Sequence, residues 1–174
     1  MFRTIDLLRR RLQGGVEFHY IGTSDPHRFT EFAAIEDITI RHGFKDAVGM
    51  AATLAAAHAG ILTSEFAGMP PFVLETLAVG RPVVAVHLPQ LASVIHDGDS
   101  GFLVARDGSA EDTAEALAQR FMDVHDAIDA GEMDPARIAG AIADFTPSRQ
   151  LARVFRYHQD IQNARRMAIA RSAN

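Results

Sequence analysis

The sequence predicts a doubly wound parallel α/β sheet with helices on both faces. Three observations carry that prediction. Apolar segments about four to eight residues long alternate with longer segments of helical period, the order a parallel sheet with crossover helices requires. Pro82–Val86 is a short Val-rich run with no polar position, the pattern of a strand buried on both faces. Glycines and prolines punctuate the segments where strands should turn into helices.

Each element follows from its own residues. Asp6–Leu12 reads as a helix, with Ile5, Leu7, Leu8 and Leu12 on one side. Val16–Ile21 alternates as a strand and ends at Gly22, and Ile38–Arg41 is a short strand before Gly43. Asp46–Ala57 is an Ala-rich helix and Gly60–Thr63 a buried strand. Pro71–Val79 is a helix stopped by Gly80; the Val-rich strand, a short helix over Leu91–His96 and a last strand over Gly101–Val104 follow. Ser109–Ala130 is a long helix whose Ser109 and Asp112 form an N-cap arrangement. A further helix spans Pro135–Ala143. Thr146 caps a final helix that Pro147 opens, predicted over 147–171. The whole chain, 1–174, is expected to be one ligand-binding domain followed by that helix.

Composition narrows the class. The 174 residues are 48% hydrophobic, enough for a real core. The formal charge is −5 and the pI about 5.9, which argues against a nucleic-acid partner. There is no Cys, which rules out disulfides and thiolate metal sites and fits a cytoplasmic protein. Met1–Asp6 shows no apolar signal-peptide core, and no apolar run reaches the ~20 residues of a membrane span. The eight His residues form no ligand pair on one helix, so no metal site is expected. Asp97-Gly98-Asp99 has an acid-x-acid form, but its Gly-rich setting reads as turn chemistry. From Pro147 onward, Arg149, Arg153, Arg156, Arg165, Arg166 and Arg171 face only one acid, Asp160. That tail is either a solvated helix face or a surface for an anionic partner, including a membrane.

Open α/β sheets bind ligands beyond the carboxyl ends of their strands. The segment after Gly60–Thr63 suits that place. Gly68 removes a side chain, and Pro70-Pro71 start a helix whose first N–H groups, from Phe72 onward, remain open to a phosphate. Glu75, about one turn further on, is placed to accept hydrogen bonds from ribose hydroxyls. It is equally an ordinary solvent-facing Glu near a helix N-terminus. His42 and His87 each follow a strand near the same crevice and either contact a base or sugar or serve the fold.

The segment LTSEFAGMPPFVLETLAVGRPVVA resembles the core motif of family-4 retaining glycosyltransferases of the GT-B fold. The match runs through Ser64, Gly68, Pro70, Leu74, Glu75, Ala78, Gly80, Pro82, Val83, Val84 and Ala85. DGDSGFLV resembles the turn and strand that follow, through Asp97, Gly98, Gly101, Leu103 and Val104. The resemblance implies the Rossmann-like C-terminal half of that fold, binding a nucleoside diphosphate sugar without a metal or other cofactor. Gly68, Met69, Pro70, Phe72, Val73, Leu74 and Glu75 would be its substrate-binding residues, with Glu75 on the ribose. The family's first motif Glu falls on Ala67; Glu65, two residues earlier, is the candidate replacement. Pro89-Gln90 stand where the family has two glycines, and Ser93 where it has a Glu. A family Lys that neutralises the leaving diphosphate falls near Arg3, which is the second catalytic candidate.

The resemblance further implies a strand with an Arg ahead of Met1, and an acceptor-binding N-terminal domain or partner chain that completes the enzyme. The final helix, with Leu151, Val154, Phe155, His158 and Ile161 as its stripe, would brace that domain. Without those parts the chain is expected to be inactive and to self-associate through open sheet edges. The alternatives are a non-catalytic, degenerate nucleotide-sugar-binding or interaction module and, less favoured, a sugar-nucleotide epimerase.

Overall fold

The structure, a computed structural model, describes the backbone of residues 1–13 and 15–172 and the side chains through 165. Two compact units, Met1–Ala141 and Ile142–Asn174, divide the chain.

In the first unit α1 (Phe2–Arg11) leads to β1 (Phe18–Ile21). Three consecutive 3₁₀ turns then fill Pro26–Ile38 before β2 (Thr39–His42). After them come α2 (Ala47–Ala56), β3 (Gly60–Leu62), α3 (Pro71–Ala78), β4 (Val83–Val86), β5 (Gly101–Val104), α4 (Ala110–Asp129) and α5 (Pro135–Gly140). Every strand pair is parallel. The strands form two sheets, β1–β2 and β3–β4–β5, where the sequence predicts one. Ile61 of β3 and Tyr20 of β1 both pack against the cluster that holds Phe18, so side chains join the two sheets while, among the described residues, no ladder does.

The central strand explains the burial pattern. Val83, Val84, Ala85 and Val86 are all buried, with α3 and α4 both packed on β4. The helices form two groups, α1 with α4 and α2 with α3 and α5, which gives the α/β arrangement of layers. α1 turns Phe2, Ile5 and Leu8 inward onto Phe18, Phe32, Ile35 and Ala118. Two ion pairs, Arg3–Glu111 at 3.2 Å and Arg11–Glu115, tie its outer edge to α4. Thr4, also buried, is the one described buried side chain whose polar atom, Oγ1, finds no partner.

Helix boundaries follow local chemistry. Ser109 and Asp112 make a reciprocal capping box, and those bonds from Ser109 hold the Asp112 carboxyl below its ordinary value. Asp46 and Asp134 cap α2 and α5. α3 stops at Gly80, whose φ of 73° leaves no space for a Cβ against Pro135. β5 begins at Gly101 with φ 147°, where a Cβ would lie 1.9 Å from the Val83 carbonyl oxygen. The Asp97–Asp99 segment is a turn: Leu103 N–H donates to Asp97 Oδ1 at 3.1 Å, and Asp99 pairs with Arg137 at 3.2 Å.

Two expectations need correction. Leu91–His96 is not a helix; only Leu91–Ser93 forms a 3₁₀ turn, because Ser100 Oγ draws the His96 N–H into the following loop. α5 ends at Gly140 rather than Ala143, and a separate 3₁₀ turn covers Ala143–Phe145. Between β1 and β2 the first 3₁₀ turn is started by Asp25, which accepts from His27 N–H at 3.2 Å.

In the second unit, α6 (Pro147–Ser172) follows the Ala143–Phe145 turn. Its start is fixed by Thr146 Oγ1, which accepts from Arg149 N–H at 3.4 Å, and by Arg149–Asp144 at 2.5 Å. The Arg166 and Arg171 side chains lie outside the described residues. No described helix is long and apolar enough to cross a membrane.

Candidate functional site

The carboxyl ends of β3, β4 and β5 carry the residues that the sequence singles out. β3 ends at Leu62, and the loop 63–70 turns the chain into α3. Pro70 occupies the cap position with no side-chain cap, and Pro71 is the first helical residue. Neither proline has an N–H, and Val73 N–H is already donated to the Pro70 carbonyl at 3.1 Å. Phe72 therefore offers the first backbone donor at this end. Nothing lies within 4 Å of where a Cβ on Gly68 would stand, so the space beside Gly68 is open.

The named residues divide into two sets. Gly68 and Glu75 are exposed, and Met69, Pro70 and Leu74 are half-buried. Val73 is wholly buried with Leu77, so its side chain belongs to the core. The Phe72 ring lies under Gly60, within 3.1 Å of where a Cβ would stand. Val73 contributes only backbone to the helix start, while Phe72, half-buried, turns its ring toward Gly60. Glu75 shares the outer stripe of α3 with Pro71 and Ala78, its carboxylate facing solvent one turn from the helix start.

The catalytic candidates are separated. Glu65 pairs with Arg106 at 2.5 Å, both more than half exposed. Arg106 follows β5, so this pair joins the ends of the two strands that flank β4. Arg3 sits at the start of α1, paired with Glu111 of α4. Sequence reasoning missed Arg106, although a cation just after a strand is a readable signal. It also missed what Gln90 does. The Gln90 amide donates to the Gly68 carbonyl at 3.1 Å and to that of Ala67, holding the loop before α3. Where the resemblance expects a glycine, a side chain clamps the loop.

The histidines serve different ends. His87 is exposed, and its N–H extends the β4–β5 ladder to the Val104 carbonyl at 2.8 Å. His42, at the end of β2, shares a hydrogen bond of 3.0 Å with His19, which meets Glu17 at 2.6 Å. Burial, with Lys45 and His19 nearby, lowers the His42 pKa from its ordinary value. Among the described residues no group of three His, Cys, Asp or Glu is placed to hold a metal ion.

Residues 1–123 match a protein family described as glycosyl transferases group 1. No curated protein matches the chain in sequence. Several solved structures share its fold. The pneumococcal O-GlcNAc transferase GtfA, solved with UDP and GlcNAc, aligns at TM-score 0.75 and 16% identity over 92% of this chain and 32% of its own. A TarM variant of S. aureus, solved with fondaparinux, α-GlcNAc-glycerol and UDP, aligns at 0.63 and 21% over 82% and 28%. WaaG, a glycosyltransferase involved in lipopolysaccharide biosynthesis, aligns at 0.63 and 19% over 84% and 38%. The chain thus spans about a third of the length of these structures.

Proposed function

The chain belongs to the glycosyl transferases group 1, and from that premise we propose that its first unit holds the nucleoside diphosphate sugar donor of a retaining hexosyl transfer. The observation that carries this reading is the uncapped start of α3 beside the open space at Gly68, with the Glu75 carboxylate exposed one turn away. A diphosphate over Gly68 would take the Phe72 N–H and the positive end of α3. Glu75 would then accept from the ribose hydroxyls. Two of the structural neighbours were solved with UDP, which makes a uridine nucleotide the first ligand to try.

Transfer breaks the bond between the anomeric carbon and the diphosphate oxygen, and negative charge grows on the leaving group. Arg106 is a cation at the strand ends, half exposed and paired with the Glu65 carboxylate. Exchanging that carboxylate for the diphosphate would let it neutralise the leaving group with no metal. Arg3 would join only by leaving Glu111. The acceptor, and the group that takes its proton, would come from a domain or partner beyond this chain, so the chain alone should bind donor without transferring sugar.

A second reading is favoured by specific residues. Ala67 replaces the carboxylate of the motif, Glu65 is spent on Arg106, and Gln90 clamps the loop. Those features suit a degenerate module that binds a nucleotide sugar or a partner without turnover.

Calorimetric titration with UDP, GDP, UDP-glucose and GDP-mannose, beside Glu75→Ala, tests the donor reading. Binding of one nucleotide, weakened by ~1–3 kcal/mol in the variant, is the expected result. A folded chain that binds none of the four would remove the donor reading and leave the interaction module.

A further inference from the structure

The loop before α3 is gripped from the end of β4, and the grip decides which way its peptides face. Gln90 works from a fixed base: Leu88 and Leu91 beside it are buried, and Ser93 Oγ donates to the Gln90 carbonyl at 2.8 Å. Its side-chain nitrogen donates to the Ala67 carbonyl and, at 3.1 Å, to the Gly68 carbonyl. A primary amide has two N–H donors, so both are spent. Nothing else described donates to these two carbonyls. In a planar trans peptide the N–H points opposite to the C=O, and no described peptide bond is cis. Two carbonyls converging on one atom therefore turn the Gly68 and Met69 N–H groups together to the far side of the loop. No described group accepts from either N–H. Gln90 also lies more than 4 Å from where a Gly68 Cβ would stand, so the open side of Gly68 is not the clamped one.

We propose that Gln90 is a positioning residue for the donor diphosphate, aiming the Gly68 and Met69 N–H groups as a pair at the phosphate oxygens. The proposal rests on the donor reading of this site. It gives the side chain that stands in place of a glycine a constructive role, where the second reading counts it against turnover. Adjacent N–H groups turned to one side form a concavity for an anion. The Gln90 amide is neutral and has no hydrogen left to offer, so it does not compete for the phosphate and stays in place when the ligand arrives. The Glu65–Arg106 pair, two residues earlier in the loop, differs: it is exposed and charged, and a phosphate can exchange with it. Gln90 thus holds the loop in both the empty and the occupied state.

Titration of the full chain with UDP and with GDP, followed by calorimetry and by amide NMR, tests this. Both ligands carry the diphosphate, which is the part the clamp serves. In wild type the Gly68 and Met69 amide protons should move downfield on binding. Gln90→Ala should bind roughly tenfold more weakly, because the ligand must then order the loop backbone itself. Its Gly68 and Met69 shifts at saturation should shrink. Gln90→Asn keeps the amide but shortens its reach by one methylene, and should behave like Gln90→Ala. Equal affinity in Gln90→Ala overturns the proposal and leaves the donor reading standing. So does weakened binding when the wild-type Gly68 and Met69 protons never respond, since Gln90 would then serve only the fold. A folded wild type that binds neither nucleotide removes the donor reading itself, and this proposal with it.

Discussion

Gly68→Ala separates the fold from the ligand at one atom. No heavy atom stands within 4 Å of the added methyl, and Gly68 is not among the residues with positive φ. The carbonyl that Gln90 holds is backbone and stays where it is. The substitution therefore costs the folded chain nothing and restricts only the unfolded one, a stabilisation of ~0.4–1 kcal/mol. In a chain of this size that raises the melting temperature by ~1–4 °C. If the diphosphate rests beside Gly68, the same methyl occupies its place and separates it from the Phe72 N–H. Losing one charge-assisted hydrogen bond costs ~1.5–3 kcal/mol, or about 10- to 140-fold in Kd. Thermal melts without ligand and calorimetry with the nucleotide that wild type binds should move in opposite directions. A lower melting temperature would refute the open space at Gly68. Unchanged affinity in a variant that folds normally would remove the diphosphate from this position.

Other sites give sharper signs. Gly101→Ala puts its Cβ 1.9 Å from the Val83 carbonyl oxygen with φ at 147°. Strain and overpacking of ~1–3 kcal/mol each should nearly unfold the chain, and an unchanged urea midpoint would contradict the β4–β5 contact. Thr4→Val replaces an orphaned buried hydroxyl with a methyl. A gain of about 1 kcal/mol in urea unfolding is expected, and a loss of that size would mean the hydroxyl has a partner. His42 favours its neutral form when folded, because its pKa is lowered from 6.5. Its share of stability is complete above that value and falls as the pH drops through it toward the folded value. His42→Gln should flatten the loss of stability on acidification, and identical slopes would exclude His42 as the cause.

Much of this architecture is legible locally. The Ser109–Asp112 box, the Pro71 and Pro147 starts and the Gly80 stop are short-range chemistry, readable within a turn of helix. The Val-rich strand is legible because burial on both faces removes every polar position. What escapes is long-range. Glu65 and Arg106 are far apart in sequence, and only the parallel pairing of β3, β4 and β5 brings their loops together. Gln90 reads as a loop residue until its amide is seen on the Gly68 carbonyl. The division into two sheets depends on which strands pair, which no segment encodes by itself. Val73 fits a motif yet faces the core, since a motif position records where the backbone runs and not where the side chain points.

The gap between β1 and β3 has a kinetic consequence. The two sheets communicate through side chains such as Ile61 and through the α1–α4 contact, with no continuous ladder among the described residues of the unit. Opening of β1–β2 need not break any hydrogen bond of β3–β4–β5. Amide protons should accordingly exchange in two classes: slow at Val84, Ala85 and Val86, and faster, by a local route, at Tyr20 and Arg41. Denaturant should accelerate the slow class more steeply than the fast one, because only the slow class waits for the apolar centre to be exposed. A ligand held at the start of α3 would then retard exchange around β3 before any effect reached β2.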